Sequence, residues 1–214
     1  CNYTESQLLE GLSAYDQDDG DLTSKIVVGS MSRFINPGVC NVTYVVFDSS
    51  NHSASFTRKV RFSDYHAPRF NTSEPLVFTE REGNSTLLKE RIIANDIIDG
   101  EISESVINTS SDINYSVAGT YHSTYEVSNS FGDTSTIELP VHIIKSENNQ
   151  IDIKLTQGII YINTGDTIDA ADYIESVTSA QGRTLHRVVK IESNVDNTTP
   201  GVYEIHYSAS YSGT

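Results

Sequence analysis

Four carboxylates within six residues, Asp16, Asp18, Asp19 and Asp21, are the densest chemistry in the chain. Clustered carboxylates suit a hard cation such as Ca²⁺, which takes about six to eight oxygens, so they form a candidate weak calcium site. The competing use is a tight turn. Gly20 accepts positive φ, and aspartate side chains bond nearby backbone N–H groups. The spacing favours the turn, because no bidentate Glu follows where a helix–loop–helix calcium loop needs one. The related stretch Asp96-Ile97-Ile98-Asp99-Gly100-Glu101-Ile102-Ser103 keeps only three acids.

Cys1 and Cys40 are the two cysteines, so each is the other's one possible intrachain partner. A Cys1–Cys40 disulfide is expected. It would stabilise the first part of the chain by about 4 kcal/mol through loop closure and implies an oxidising, extracytoplasmic setting. Enzymatic motifs are missing from the sequence: there is no G-x-S-x-G, no H-E-x-x-H and no Cys/His set for zinc. Twenty-nine acids make some carboxylate pairs unavoidable, so a pair alone does not point to glycoside hydrolysis. No catalysis is expected and no cofactor is called for beyond the candidate Ca²⁺.

Twelve tyrosines and no tryptophan leave sugar stacking as an open use of aromatic surface. Tyr44, Tyr121, Tyr125, Tyr203 and Tyr207 keep an inward register and are expected in the core, whereas His122 and His206 fall on the outward face. Asn2, Asn41, Asn51, Asn71, Asn84, Asn108, Asn114 and Asn197 each begin an N-x-Ser/Thr sequon, which matters in a eukaryotic source and usually stays bare in a bacterial one. The formal charge is −15 and the pI about 4.6. Such a surface repels phosphate backbones and anionic lipids, so nucleic acid and membranes are poor partners. No apolar run is long enough to cross a bilayer. No signal peptide is visible at Cys1, as expected of a mature or trimmed chain.

The elements behind these residues are strands. Pro37-Gly38 releases a stretch in which Cys40, Val42, Tyr44 and Val46 alternate with Val39, Asn41, Thr43 and Val45, the period of a strand with one face in a core. The pattern returns at Gly119-Thr120-Tyr121 and at Gly201-Val202-Tyr203, a threefold repeat with a period of roughly 80 residues. Module boundaries are expected at 1–66, 67–145 and 146–214, with linkers at Ser63–Pro68 and Ser146–Gln150. The first module lacks a counterpart of the opening strand Leu76–Thr79. The third lacks a counterpart of the closing strand Phe56–Phe62, and its acidic turn has decayed to Ser179-Ala180-Gln181-Gly182. Pro140 inside the second closing strand suggests an edge or a bulge.

Ala14-Tyr15-Asp16 to Thr23, Pro37-Gly38 to Tyr44, and Asp48 before a final alternating strand together resemble the bacterial immunoglobulin-like surface repeat. That group is related in pattern to hyalin-repeat modules and was described also from a pesticidal crystal toxin. Cys40 departs from the aromatic usual at its position. The resemblance implies an all-β fold of three tandem immunoglobulin-like β-sandwiches in an elongated array, secreted or wall-anchored. It implies a non-catalytic stalk or adhesin segment. The alternative is a module that binds polysaccharide or host glycoprotein for a larger secreted enzyme. A monomer is expected, unless the two open edges donate strands between molecules.

Overall fold

The computed structural model describes residues 3–146, 151–185 and 189–210; Cys1, most of the second linker and Tyr211–Thr214 lie outside the described residues. The fold is all-β and sandwich-like, as the alternation predicts. In the first repeat a short helix, α1 (Glu5–Leu9), precedes a two-residue hairpin of β1 (Tyr15–Asp16) and β2 (Gly20–Asp21). Then β3 (Val27–Met31), β4 (Val39–Phe47) and β5 (Ser53–Arg61) form an antiparallel sheet in that order. Cys40, Val42 and Tyr44 point inward from β4 and cluster with Leu8, Ile26 and Phe62. The helix was not expected. Its signal is a capping box in which Thr4 Oγ1 accepts from the Gln7 N–H while the Thr4 N–H donates back to the Gln7 side chain.

The second repeat replays this plan with additions. β6 (Arg69–Thr72) and β7 (Val77–Thr79) open it, α2 (Ser85–Arg91) takes the place of α1, and β8 (Ile92–Asp96) and β9 (Gly100–Glu101) carry the acidic hairpin. β10 (Ile107–Ser111), β11 (Gly119–Ser128) and β12 (Thr134–Ile144) form a sheet that β7 joins in parallel, His142 to Ile144 facing Val77 to Thr79. Pro140 precedes that pairing, so its missing N–H costs no ladder bond on the β7 side. In the third repeat β13 (Ile151–Leu155) pairs antiparallel with β14 (Ile174–Ser179), and β15 (Lys190–Ser193) with β16 (Ile205–Ser208).

Two compact units emerge from the contacts. One comprises Cys1–Arg69, Ala94–Val106 and Glu126–Thr136; the other comprises Phe70–Ile93, Ile107–Tyr125 and Ile137–Thr214. The acidic hairpin and strand tip of the second repeat thus belong to the same compact unit as the first repeat.

Candidate functional site: a groove bordered by Tyr15 and Phe56

The acidic hairpin is built from side-chain bonds to its own backbone. Asp16 Oδ1 accepts from the N–H groups of Asp18 and Asp19 at 2.8 and 3.0 Å, and Gly20 takes φ 76° to close the loop. Asp21 Oδ1 accepts from Thr23 N–H at 2.8 Å. Asp19 reaches further, its Oδ2 accepting from the N–H of Ser49 at 2.7 Å, which clamps the hairpin to the tip between β4 and β5. The second repeat keeps the device. Asp96 Oδ1 accepts from Ile98 and Asp99 N–H, and Asp99 binds Ser130 through both its N–H and its hydroxyl. In the third, Ser179 Oγ accepts from Gln181 and Arg183 N–H, with Gly182 at φ 75°. That spacing is the one Asp48 and Asn129 use at their strand tips, not the one of the acidic hairpin.

These bonds hold the Asp19 carboxyl below its usual range, chiefly through the Ser49 N–H, and the Asp21 carboxyl below its own, chiefly through the Thr23 side chain. Asp18, the fourth acid of the candidate calcium set, is exposed. Among the described residues no three His, Cys, Asp or Glu side chains converge as metal ligands.

Beside the clamp lies a groove of about 530 Å³. Its floor is apolar: Leu22, Ile26 and Tyr44 are buried. The Tyr44 hydroxyl donates to Leu8 O at 2.8 Å and accepts from Arg58 Nε at 3.0 Å, so the floor carries no unmet phenol. Two aromatic rings border it in the open, Tyr15 at 80% and Phe56 at 59% exposure. Large exposed rings flanking a concavity are unusual in a surface that owes nothing to binding. Asp16, Asp48 and His52 supply the polar rim. Asp48 Oδ1 accepts from Ser50 and His52 N–H, and its Oδ2 pairs with His52 Nδ1 at 2.8 Å. Desolvation works to raise the Asp48 carboxyl, but the bonds from His52 and Ser50 outweigh it and hold it low. The imidazole is thereby oriented through its Nδ1, with the ring exposed. Sequence reasoning missed this groove, because Tyr15 and Phe56 are far apart in the sequence and only the fold brings both to its border.

Cys40 is fully buried and its thiol is free among the described residues; Cys1 lies outside them. Burial pushes the Cys40 thiol up. Its departure from the aromatic pattern has a compensation. In the later repeats Tyr121 and Tyr203 fold over Gly119 and Gly201, where an added Cβ would lie 3.4 and 3.2 Å from the ring. Each hydroxyl donates to the carbonyl four residues back, of Val117 and Thr199. In the first repeat Gly38 is covered instead by Tyr65, within 2.9 Å of the same added Cβ. Tyr65 also stacks edge-on against Phe34 at 4.7 Å, and Phe34 lies against Phe131 at 4.7 Å. Its hydroxyl donates to Asp133 Oδ2 at 2.5 Å and accepts from Asn129 Nδ2 at 3.0 Å, while Asn129 also donates to the buried Asp96. Burial, then Asp133, pushes the Tyr65 phenol well above its ordinary value.

Of the tyrosines expected in the core, Tyr44 and Tyr125 are buried, whereas Tyr121, Tyr203 and Tyr207 are half-buried. His122 is exposed as expected. His206 is exposed too, and it pairs with Glu204 at 2.5 Å while its ring meets that of His142 at 5.5 Å. Burial, then His206, pulls the His142 imidazole down.

No protein-family model matches the chain. It is 32% identical over 201 residues, 91% of its length, to the pesticidal crystal protein Cry22Aa of Bacillus thuringiensis, of which it spans 27%. It is 30% identical over 123 residues, 55% of its length, to an uncharacterized 81.3 kDa protein of Acholeplasma phage L2, of which it spans 16%. The chain thus covers about a quarter or less of the curated relatives it matches. The solved structures that align include two from Clostridium perfringens ZmpB. The first holds CBM51-2 in complex with GlcNAc and INT domains (TM-score 0.32, 25% identity, 41% of this chain and 21% of that one). The second holds the M60 catalytic domain with CBM51-1 and CBM51-2 (TM-score 0.30, 13% identity, 71% of this chain and 30% of that one). At those scores neither alignment carries an argument.

Proposed function

We propose that the chain is a non-catalytic extracellular module that binds polysaccharide or host glycoprotein for a larger secreted protein. The observation that carries this is the groove with Tyr15 and Phe56 exposed along it and Asp16, Asp48 and His52 at its rim. Aromatic faces suit the C–H faces of sugar rings, and carboxylate and imidazole groups suit hydroxyls. Similarity to a Bacillus thuringiensis protein over most of the chain supports the bacterial setting. A glycan array and a mucin pull-down test the reading. Binding is expected to be lost in Tyr15→Ala and Phe56→Ala, and binding that survives both substitutions, or no binding by the parent chain, refutes it.

A second reading, a stalk of three tandem modules, draws support from the ring contacts of Phe34 and Phe62 with Phe131, which fasten the first repeat to the tip of the second. Small-angle scattering tests it, since a compact particle rules out a stalk. In either reading the acidic hairpin acts as a clamp, one oxygen each of Asp16, Asp19 and Asp21 accepting from backbone N–H groups. A melting temperature raised by millimolar Ca²⁺ and lowered by chelator would contradict that. A Cys1–Cys40 bridge is proposed as well. Tyr3 packs on Phe62 at 5.2 Å, and Phe62 belongs to the buried cluster that holds Cys40. An intact mass unchanged by reductant counts against it.

A further inference from the structure

Two kinds of contact hold the third repeat to the second. One is a set of neutral hydrogen bonds to β6. The Phe70 N–H donates to the Tyr161 hydroxyl at 2.9 Å, that hydroxyl donates to Phe70 O at 3.1 Å, and the Ile159 N–H donates to the Asn71 side chain at 3.2 Å. Gly158 leaves no room for a Cβ against Thr72. Neither a phenol nor an amide changes charge between pH 5 and 8. The other contact joins β12 to β16 and is made by histidine. The rings of His142 and His206 meet edge to face, their centroids 5.5 Å apart and their planes at 74°. Beside them lies a cavity of about 330 Å³ lined by Pro140, Leu155, Ile160, Tyr203 and Ile205, so little packing keeps this face closed.

We infer that the contact between β12 and β16 is an acid-released latch: a proton on His142 drives its ring away from His206, while the bonds to Phe70 and Asn71 stay and act as the hinge. The surroundings of the two rings differ. Glu204 pairs with His206 Nε2 at 2.5 Å, and Glu192 of β15, itself paired with Lys190 at 2.7 Å, is the cross-strand partner of His206. A charged His206 therefore has carboxylates beside it. His142 is half-buried, with Thr120 of β11 sharing a hydrogen bond with its Nδ1 at 3.0 Å and the apolar Val77 of β7 opposite it. Burial, His206 and His122 of β11 all oppose a charge on it, and Glu204, already engaged by His206, is the one group that favours it. The folded-state value of His142 thus lies below the unfolded one. The stability this contact gives is full above about pH 6.5 and is lost as pH falls through the folded-state value.

The test uses the full chain. Histidine-ring NMR over an acid titration from neutral pH is expected to show cross-relaxation between the His142 and His206 rings, and its loss as His142 takes its proton. Spin labels at Glu138→Cys on β12 and Ser193→Cys on β15 are expected to move apart over the same titration. The Phe70 amide, bonded to Tyr161, is expected to keep its protection from hydrogen exchange throughout. With His142→Gln, which takes no proton, the label distance is expected to stay short at every pH. Cross-relaxation or a label distance unmoved once the His142 ring is charged overturns the inference, however the variant behaves. An equal lengthening in the His142→Gln chain overturns it too. So does loss of Phe70 protection along with the ring contact, which would mean that acid melts the repeat instead of opening one face.

Discussion

Replacing Tyr65 by phenylalanine keeps the ring over Gly38 and against Phe34 and removes only the hydroxyl. That hydroxyl donates to the Asp133 carboxylate and accepts from Asn129. A hydrogen bond to a charged group contributes about 1.5–3 kcal/mol net. Asp133 and Tyr65 are both half-buried, so water can partly replace the lost partner and the lower part of that range, about 2 kcal/mol, is expected. The pH dependence follows from the raised phenol. Its stabilisation is complete below the ordinary tyrosine value near 10 and is lost as pH rises toward the folded-state value, because the unfolded chain releases that proton first. One such group changes stability by about 1.4 kcal/mol per pH unit in that window. The Tyr65→Phe penalty measured by urea unfolding should therefore shrink from about 2 kcal/mol at pH 7 to about 0.6 kcal/mol at pH 11. Tyr115, Tyr125 and Tyr207 are raised by burial too, but they titrate alike in both proteins and cancel in the difference. An equal penalty at both pH values would refute the proposed role of the hydroxyl.

Three further outcomes are expected. Gly38→Ala forces a Cβ into Tyr65 at a φ of 70° and should destabilise the protein by about 1–3 kcal/mol, whereas Gly100→Ala, with open space around it, should cost only the backbone strain. Thr79→Val should stabilise by about 1 kcal/mol in thermal unfolding, because the Thr79 hydroxyl is buried without a partner; a loss of stability would mean that the hydroxyl is satisfied in solution. Asp19 and Asp48 titrate below their unfolded values, so the stability they give is full above about pH 4 and is lost as pH falls through their folded values. Asp19→Asn should flatten that acid limb, and an unchanged limb would argue against the clamp.

The strands were legible because β4 and β11 bury every second residue, and a period of two survives in the sequence without knowledge of partners. The two helices were not, because at five and seven residues they show too few turns for a helical period; only the Thr4–Gln7 box and the Asn84 cap announce them. The acidic turn was readable as a turn from Asp16 and Gly20, but not as a clamp, since Ser49 lies 30 residues beyond Asp19. Tyr65 was read as linker. Nothing local reveals that its ring stands in for the aromatic missing at Cys40, or that its hydroxyl answers to residues 64 and 68 positions away.

The ring that covers Gly38 belongs to the segment joining the first repeat to the next, and it carries a hydrogen-bonded attachment to the Asn129–Asp133 tip. A graft of residues 1–66 into another protein would therefore leave the Tyr65 phenol without its partners and uncover the faces of Phe34 and Phe62 that Phe131 meets. In this chain the stretch that carries the repeating pattern is shorter than the stretch that can stand alone.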